Sequence, residues 1–167
     1  MKIFRASVFF LTVLICVNNT QAQSSSSAEK AIVFADSFLT SFRNNDLEQY
    51  TNLSYPGVIT YYGGNKNFRE YVERARILSK TGVSDNITLV QIVNDVSELQ
   101  CVIRKTSEAT IDGKKARIVS YLIGQSKDDG ACWKFVDVAQ SSPGNLVYIM
   151  PDISGKLDVP QREIIFN

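Results

Sequence analysis

Apolar residues recur every three or four positions in the first part of the chain, which is the spacing of one helical face. The longest such stripe runs from Ala28 to Phe42, and Ser27, a residue type that caps helix N-termini, stands directly before it. Its members are Ala28, Ala31, Ile32, Ala35, Phe38, Leu39 and Phe42. The pattern predicts a helix that begins at Ala28 and ends before Asn44-Asn45.

Two shorter helices are predicted after it. One spans residues 46–53, where Asn45 and Glu48 have the spacing of a capping box. The other spans about 66–80, with Asn65 as its N-cap and Gly82 as its stop signal. Between them, a β-turn at 55–57 and the β-branched and aromatic run at 58–62 predict a short strand.

The hydrophobic period changes to two after residue 86, as expected for strands. We predict strands near 87–94, 98–110, 115–126 and 131–139. Asp112-Gly113 and Asp129-Gly130 are tight-turn signals between the last three. Short connections make these strands an antiparallel meander. Because the helices precede the sheet, the sequence predicts an α+β domain with its helices packed on one sheet face.

The two turns also predict the register of the sheet and the state of two cysteines. Centring the hairpins on the turns puts Cys101 opposite Gly124, Gly124 opposite Phe135 and Cys132 opposite Lys127. The cysteines then lie two strands apart, at least about 9.6 Å, whereas a disulfide needs Cα atoms within about 7 Å. We therefore predict no disulfide, and two free thiols that serve as small buried apolar groups.

The N-terminal segment has the features of a secretory signal peptide. Lys2 and Arg5 supply a positive start, residues 6–17 are almost wholly apolar, and Ala22 closes a small-residue cleavage site. Cleavage there predicts an exported protein, periplasmic or extracellular, that opens with a flexible Ser-rich lead-in at 23–27.

Composition excludes several classes of function. Without residues 1–22, which hold two of 18 basic and none of 17 acidic residues, 145 residues with a net charge of −1 remain. The sequence has no basic patch for binding nucleic acid. The apolar segment of the signal is too short to span a bilayer, so we expect no stable membrane insertion after signal cleavage. The chain has no histidine, so serine triads and His-based zinc sites are excluded. We expect no cofactor and no metal site.

The order of elements and several short motifs resemble the nuclear transport factor 2-like superfamily, which includes SnoaL-type cyclases and ketosteroid isomerase. The motifs are Tyr55-Pro56-Gly57-Val58, Gly63-Gly64, Phe68-Arg69-Glu70-Tyr71 and the closing hairpin at 129–137. The resemblance covers residues 28–139 and implies a cystatin-like, cone-shaped roll, in which about three helices pack on the concave face of a strongly curved sheet around a pocket. Residues 140–167 would form an extension packed on this domain.

The catalytic residues of the superfamily do not carry over. Isomerase-like members have an Asp base in the segment that reads Thr60-Tyr61-Tyr62 here, and no carboxylate is present. For an enzyme we would assign Asp137, on the same strand face as two aromatic residues, together with Tyr61. The alternative interpretation of Asp137 is a solvated carboxylate at a strand end.

A pocket in this fold would be lined by aromatic side chains that offer an apolar surface and, in tyrosine, a hydroxyl group. The predicted ligand-binding residues are Tyr50, Tyr55, Tyr61, Tyr121, Trp133 and Phe135. The alternative is that Trp133 and Phe135 belong to the core and that some of the tyrosines face solvent.

Three functions remain open from the sequence. The first is a non-catalytic module that binds a small apolar ligand with a polar edge, or another protein. The second is an isomerase, dehydratase or cyclase that uses a pocket Asp and Tyr. The third is a domain with a collapsed pocket that forms a homodimer through the outer sheet face.

Overall fold

The computed structural model describes residues 13–78, 86–95, 97–138 and 145–166, and of residues 13–25 it describes the backbone alone. The helices are α1 (Val13–Arg43), α2 (Leu47–Leu53), α3 (Pro56–Tyr61), α4 (Asn65–Leu78) and α5 (Leu146–Ile149). The strands are β1 (Asn86–Asp95), β2 (Glu98–Ile111), β3 (Lys114–Ser126), β4 (Lys134–Asp137) and β5 (Glu163–Phe166). The predicted α+β class, with N-terminal helices on an antiparallel sheet, is confirmed.

Helix α1 begins well before the predicted start at Ala28. The predicted lead-in at 23–27 lies inside the helix, so Ser27 is not its N-cap. Neither Gly nor Pro interrupts the Ser-rich run that joins the two parts. Instead of capping α1, Ser27 Oγ donates a hydrogen bond to the Asp129 carbonyl at 3.1 Å and ties the helix to the β3–β4 turn.

Helix α2 was predicted almost correctly, but its cap is Asp46. The Asp46 carboxylate accepts a hydrogen bond from the Gln49 backbone N–H at 3.0 Å. Asn45, the predicted cap, has φ of 59° and ends the α1–α2 turn in the left-handed region that asparagine tolerates. Helix α4 begins at Asn65, and the predicted stop signal at Gly82 lies outside the described residues.

The predicted strand at 58–62 is wrong, because this segment forms helix α3. Pro56 lies in the first turn of that helix, where its missing N–H costs nothing and its fixed φ suits a helix. The chain instead bonds to the sheet just before this helix, where the Tyr55 N–H donates a hydrogen bond to the Phe135 carbonyl at 2.9 Å. Among the residues described, four helices therefore precede the sheet, where about three were predicted.

The predicted antiparallel meander and its register are confirmed. The strand order is β1-β2-β3-β4, with Cys101 opposite Gly124 and Gly124 opposite Phe135. Positive φ angles at both turns explain why the two Asp-Gly pairs form tight hairpin connections. Strand β4 is shorter than predicted and leaves Cys132 in the preceding loop, so its predicted pairing with Lys127 is wrong.

Each face of the sheet packs against a different part of the chain. On the helix-facing face, Phe135 lies with its ring centroid 5.7 Å from that of Phe38 in α1. The other face, called the outer face below, includes Gln100 and Gln125, which flank Cys101 and Gly124 in sequence and therefore project the opposite way.

Residues 145–166 are called the C-terminal strap below: they begin beside α3, reach the outer face at Asp152 and end in β5, which pairs with residues 116–119 of β3. The run Leu146–Met150, whose structure the sequence left open, forms α5 and packs beside α3. At this contact, a Cβ atom on Gly57 would lie only 1.8 Å from the Ile149 carbonyl oxygen. The close packing of the two helices thus requires glycine at position 57.

Candidate functional site

The interior of the domain, where the sequence predicted a pocket, contains a cavity of about 20 Å³. Its lining residues are Phe38, Tyr50, Ser54, Val58, Tyr62, Phe68, Tyr71, Phe135, Val136 and Asp137. A water molecule needs at least about 10–15 Å³, whereas small-molecule sites typically measure about 300–1,000 Å³. The cavity thus has room for about one water molecule.

Aromatic rings from α1, α2 and α4, from Tyr62 just after α3, and from the sheet fill the rest of this space. The Tyr50 ring stacks on Phe38 at 4.4 Å and on Phe68 at 6.0 Å, measured between ring centroids. Farther out, Tyr62 stacks on Tyr71 at 4.1 Å. Aromatic pairs in these arrangements contribute about 0.5–1.5 kcal/mol each beyond the area they bury, so the filled interior is favourable packing.

Asp137 is buried, which corrects the interpretation as a solvated carboxylate at a strand end. Only 5 % of its side chain is exposed, and Oδ2 forms an ion pair with Lys105 Nζ at 2.7 Å. Both side chains project from the helix-facing face, on β4 and β2. The pair removes two charges from water at the wall of the cavity, an arrangement that tolerates the loss of either partner poorly.

The tyrosine beside Asp137 is Tyr50, whereas the sequence paired this carboxylate with Tyr61. Burial, and secondly the negative charge of Asp137, raise the pKa of Tyr50 well above its ordinary value. Its hydroxyl therefore remains protonated at neutral pH. A carboxylate and a phenol do share one small cavity, which is the pair of groups the enzyme interpretation requires.

The remaining predicted ligand residues are dispersed. Tyr61 is 49 % exposed, and its hydroxyl accepts a hydrogen bond from Asn145 Nδ2 at 3.1 Å. Tyr55 is buried and donates to Asp152 Oδ1 at 2.9 Å. Tyr121 projects from the outer face, and Trp133 is fully buried just before β4. Of the six predicted residues, only Tyr50 and Phe135 line the interior cavity.

A larger depression of about 460 Å³ lies on the outer face, at the end of the sheet nearest the β2–β3 turn. Its lining residues are Asn86, Thr88, Arg104, Thr106, Glu108, Arg117, Val119 and Ile165, and they are called the outer groove below. Arg117 contacts Glu108 at 3.4 Å, whereas Arg104 forms no ion pair among the described residues. Arg117 and Val119 share a face because side chains alternate along β3, whereas the contribution of β5 to the groove had no signal in the sequence.

The C-terminal strap covers the other part of the outer face through side-chain amides. Gln100 Nε2 donates to the Asp152 carbonyl at 2.8 Å, and Gln100 Oε1 accepts from the Ser154 N–H at 2.8 Å. One strand further, Gln91 makes the same two-way contact with Lys156 and Asp158. The strap therefore leaves the outer groove as the open part of this face.

Asp152 is the strap residue whose carboxylate contacts several polar side chains of the domain. Burial acts to raise the pKa of this carboxyl, but hydrogen bonds from Gln125 and Tyr55, together with Lys127, hold it below its ordinary value of 3.8. The Lys127 Nζ atom lies 3.4 Å from Asp152 Oδ2. The carboxylate is thus ionised at neutral pH and joins β3, the segment before α3, and the strap.

Both cysteines described with side chains are free thiols, but their environments differ. Cys101 is fully buried as predicted, and burial raises the pKa of its thiol to about 12. Cys132 is exposed, which corrects the prediction that it is buried. A hydrogen bond to the Asp128 carboxylate and the charge of that group raise its pKa. Neither thiol has the lowered pKa typical of a reactive cysteine.

Within the part of the chain that the structure describes, no cluster of three or more Cys, Asp or Glu side chains could hold a metal ion. Over the same residues, no helix combines the length and apolar character needed to cross a membrane.

No protein-family model, curated protein or solved structure is significantly similar to this chain. The resemblance to the nuclear transport factor 2-like superfamily therefore stays a prediction.

Proposed function

We propose that this chain is an exported, non-catalytic protein-interaction module that binds its partner at the outer groove. The observation that carries the proposal is the contrast between two spaces. The interior cavity, at about 20 Å³, has no room for a small organic ligand, whereas the outer groove, at about 460 Å³, is open to solvent. The strap covers the neighbouring part of the outer face and leaves the groove exposed on that face.

The chemistry of the groove suits a partner with carboxylate groups. Arg104 and Arg117 supply two positive charges against the single negative charge of Glu108. Arg104 has no counter-ion among the described residues, and Val119 and Ile165 add an apolar patch. Arginine beside apolar groups is typical of interface centres, where planar guanidinium groups bind carboxylates with two hydrogen bonds.

The proposed domain is a cone-shaped member of the nuclear transport factor 2-like superfamily. The proposal is supported by the order of helices followed by an antiparallel meander and by the confirmed register of the closing hairpin. Since folds of this kind serve enzymes and binding modules alike, the fold itself does not choose between them.

The interaction is tested by reversing the charge of Arg104. Proteins cross-linked to the wild-type chain in its native compartment are compared with those cross-linked to Arg104→Glu and to Lys114→Glu. Both substituted residues are exposed and belong to the same hairpin, but only Arg104 lines the groove. We expect Arg104→Glu to lose a partner that Lys114→Glu retains. Identical partners for all three chains would contradict the proposal.

A small-ligand function makes the opposite prediction. If the interior opens to admit an apolar compound, such ligands raise the midpoint of thermal unfolding, since binding to the folded state alone stabilises it. Our proposal expects no shift with sterols, fatty acids or polyketide-like aromatic compounds. A reproducible shift that Phe38→Ala alters would replace the proposed function with ligand binding.

An isomerase, dehydratase or cyclase is the second candidate, and one observation favours it. Asp137 and Tyr50 line the same buried cavity, and Lys105 holds the carboxylate in place. Enzyme activity would require α3 and α4 to move apart and admit a substrate. Turnover of a ketone or polyketide substrate that Asp137→Asn abolishes and Tyr61→Phe leaves unchanged would establish this candidate.

A further inference from the structure

Strand β5 leaves one edge of the sheet open. It pairs with β3 on one side, and no described strand pairs with its other side. Ile164, Ile165 and Phe166 are 44 %, 45 % and 56 % exposed, so apolar groups face solvent on both faces of this edge. An edge strand presents unpaired backbone N–H and C=O groups, and one with several exposed apolar side chains readily pairs with another strand.

The opposite edge of the sheet, formed by β1, has features that hinder such pairing. A register shift between Leu89 and Gln91 interrupts the regular ladder there. The Gln91 side chain also binds Lys156 and Asp158 of the strap beside this edge. Bulges and covering segments are the usual means by which proteins protect an edge. Within the described part of the chain, strand β5 has neither a bulge nor a covering segment.

We infer that β5 pairs antiparallel with β5 of a second copy of this chain and forms a symmetric dimer. A two-fold axis brings identical patches together, so one strand can satisfy both sides of the contact. In an antiparallel ladder, residues whose backbone groups point outward must face residues of the same kind. Residues with outward-pointing and inward-pointing backbone groups alternate along the strand. A symmetric pair of β5 strands therefore has one residue directly opposite its own copy, because any other symmetric arrangement would place an outward-pointing residue opposite an inward-pointing one.

The charges of β5 and the number of residues that the ladder can pair select Ile164 as that central residue. Arg162 or Glu163 opposite its own copy would put like charges together, which destabilises a strand pair. With Ile164 at the centre, Glu163 lies opposite Ile165 of the second copy, and all residues from 162 to 166 are paired. Arg162 then lies opposite Phe166 of the second copy, where a guanidinium over a ring contributes about 0.5–1 kcal/mol at an exposed site.

The same register gives charge complementarity on the outer face. Ile165 lies opposite Arg117 within one chain, so Glu163 of the second copy enters the row that contains Arg117. Neither Arg162 nor Glu163 has an ion-pair partner among the described residues of one chain. The dimer supplies neighbours of opposite charge or aromatic character to both. The interface borders the outer groove, because Arg117 and Ile165 belong to both, but it does not involve Arg104 of β2. It therefore adds self-association to the proposed partner binding, and the Arg104 variant distinguishes the two.

The first test measures self-association of the full chain by sedimentation equilibrium. We expect a dimer for the wild type and a dissociation constant raised by roughly tenfold or more in Ile164→Lys, because this change places two lysines directly opposite each other across the interface. Val90→Lys is the matched control, since Val90 is 50 % exposed on β1, at the opposite edge. It should associate like the wild type. Circular dichroism verifies that each variant is folded.

The second test locates the contact by cross-linking. In a chain with Cys16→Ser and Cys132→Ser, Ile164→Cys should form a disulfide-linked dimer under mild oxidation, because facing residues lie within the roughly 7 Å that a disulfide requires. Ile165→Cys, displaced by two residues from its own copy, should cross-link much less. A monomeric wild type, a dimer insensitive to Ile164→Lys, or no cross-link at either position would overturn the inference. A dimer broken by Arg104→Glu alone would do the same and would assign the contact to the groove.

Discussion

The ion pair between Lys105 and Asp137 is the residue contact with the greatest effect on the interior. Lys105 and Asp137 side chains are 14 % and 5 % exposed, so neither charge is well solvated. The cost of burying them is offset only while both are present. The pair therefore adds little to the free energy of unfolding, but replacing only one of its two residues is costly.

We predict that Lys105→Met lowers the free energy of unfolding by about 3–5 kcal/mol, because it leaves the Asp137 carboxylate buried without its cation. Adding Asp137→Leu should recover most of the loss, since an apolar pair of similar volume needs no counter-charge. Urea denaturation followed by circular dichroism measures both. Arg117→Met is the control: it breaks an exposed pair, and its effect should stay within about 1 kcal/mol.

At the scale of residues, the sequence predicted the strand register better than the burial of individual side chains. The Asp-Gly turns determined which residues oppose Cys101 and Gly124, because turn type and strand period set the register. Whether Asp137 is solvated depends instead on Lys105, a residue 32 positions away on another strand. No local pattern in the sequence connects the two, so the burial of Asp137 could not be predicted.

At the scale of elements, α3 shows how tertiary structure overrides local preference. Its residues Val58, Ile59 and Tyr61 favour strands, yet the segment is helical. Pro56 favours the first turn of a helix, and the neighbouring α5 packs against Gly57. Because α5 belongs to the strap, about 90 residues later, its influence on α3 could not be inferred locally.

We predict that Gly57→Ala loosens the strap from the domain. The added Cβ would overlap the Ile149 carbonyl oxygen, so α5 must move, at a cost of about 1–3 kcal/mol typical of overpacking. Limited proteolysis should then cleave the strap faster than in the wild type. Gly155→Ala, where a Cβ would meet no atom within 4 Å, should leave the cleavage rate unchanged. Equal protection of both variants would argue against the packing described.

A second prediction for the strap concerns pH. The pKa of Asp152 lies below its ordinary value of 3.8, so the unfolded chain takes up the proton at higher pH than the folded chain. Its stabilising contribution is fully present above pH 3.8 and is lost as the pH falls through the folded-state pKa. Asp152→Asn should therefore flatten the fall in stability below pH 4.

The measurement is urea denaturation at a series of acidic pH values. Asp36→Asn serves as the control, because this exposed carboxylate on α1 accepts no hydrogen bond among the described residues. If Asp152→Asn and Asp36→Asn change the pH profile equally, Asp152 does not anchor the strap.

At the scale of the whole molecule, the layered architecture followed from the sequence and the strap did not. Helical period, then strand period and two turns, were enough to predict helices on one face of an antiparallel meander. The strap reaches the sheet through the side chains of Gln91, Gln100 and Gln125, which bind backbone and carboxylate groups. Such contacts do not alter the hydrophobic period of either the strap or the strands, so the sequence pattern does not reveal them.

We predict that removal of residues 1–22 changes the free energy of unfolding by less than about 0.5 kcal/mol. Among the α1 residues whose side chains the structure describes, Ala31, Ala35, Phe38 and Leu39 belong to the core, and all lie beyond the predicted cleavage site. A chain that starts at Glu29 should lose a further 0.5–1.5 kcal/mol or so, because the Ser27 bond to Asp129 is gone. Mass spectrometry of the released protein should find Gln23 as the first residue.

The lone tryptophan provides an internal reporter for these measurements. Trp133 is the single indole in the chain, it is fully buried, and its N–H has no hydrogen-bond partner among the described residues. In the folded protein its fluorescence should therefore be emitted at short wavelength and resist quenching by iodide. Unfolding would bring the ring into water and shift the emission to the red, so loss of the core could be followed without any added label.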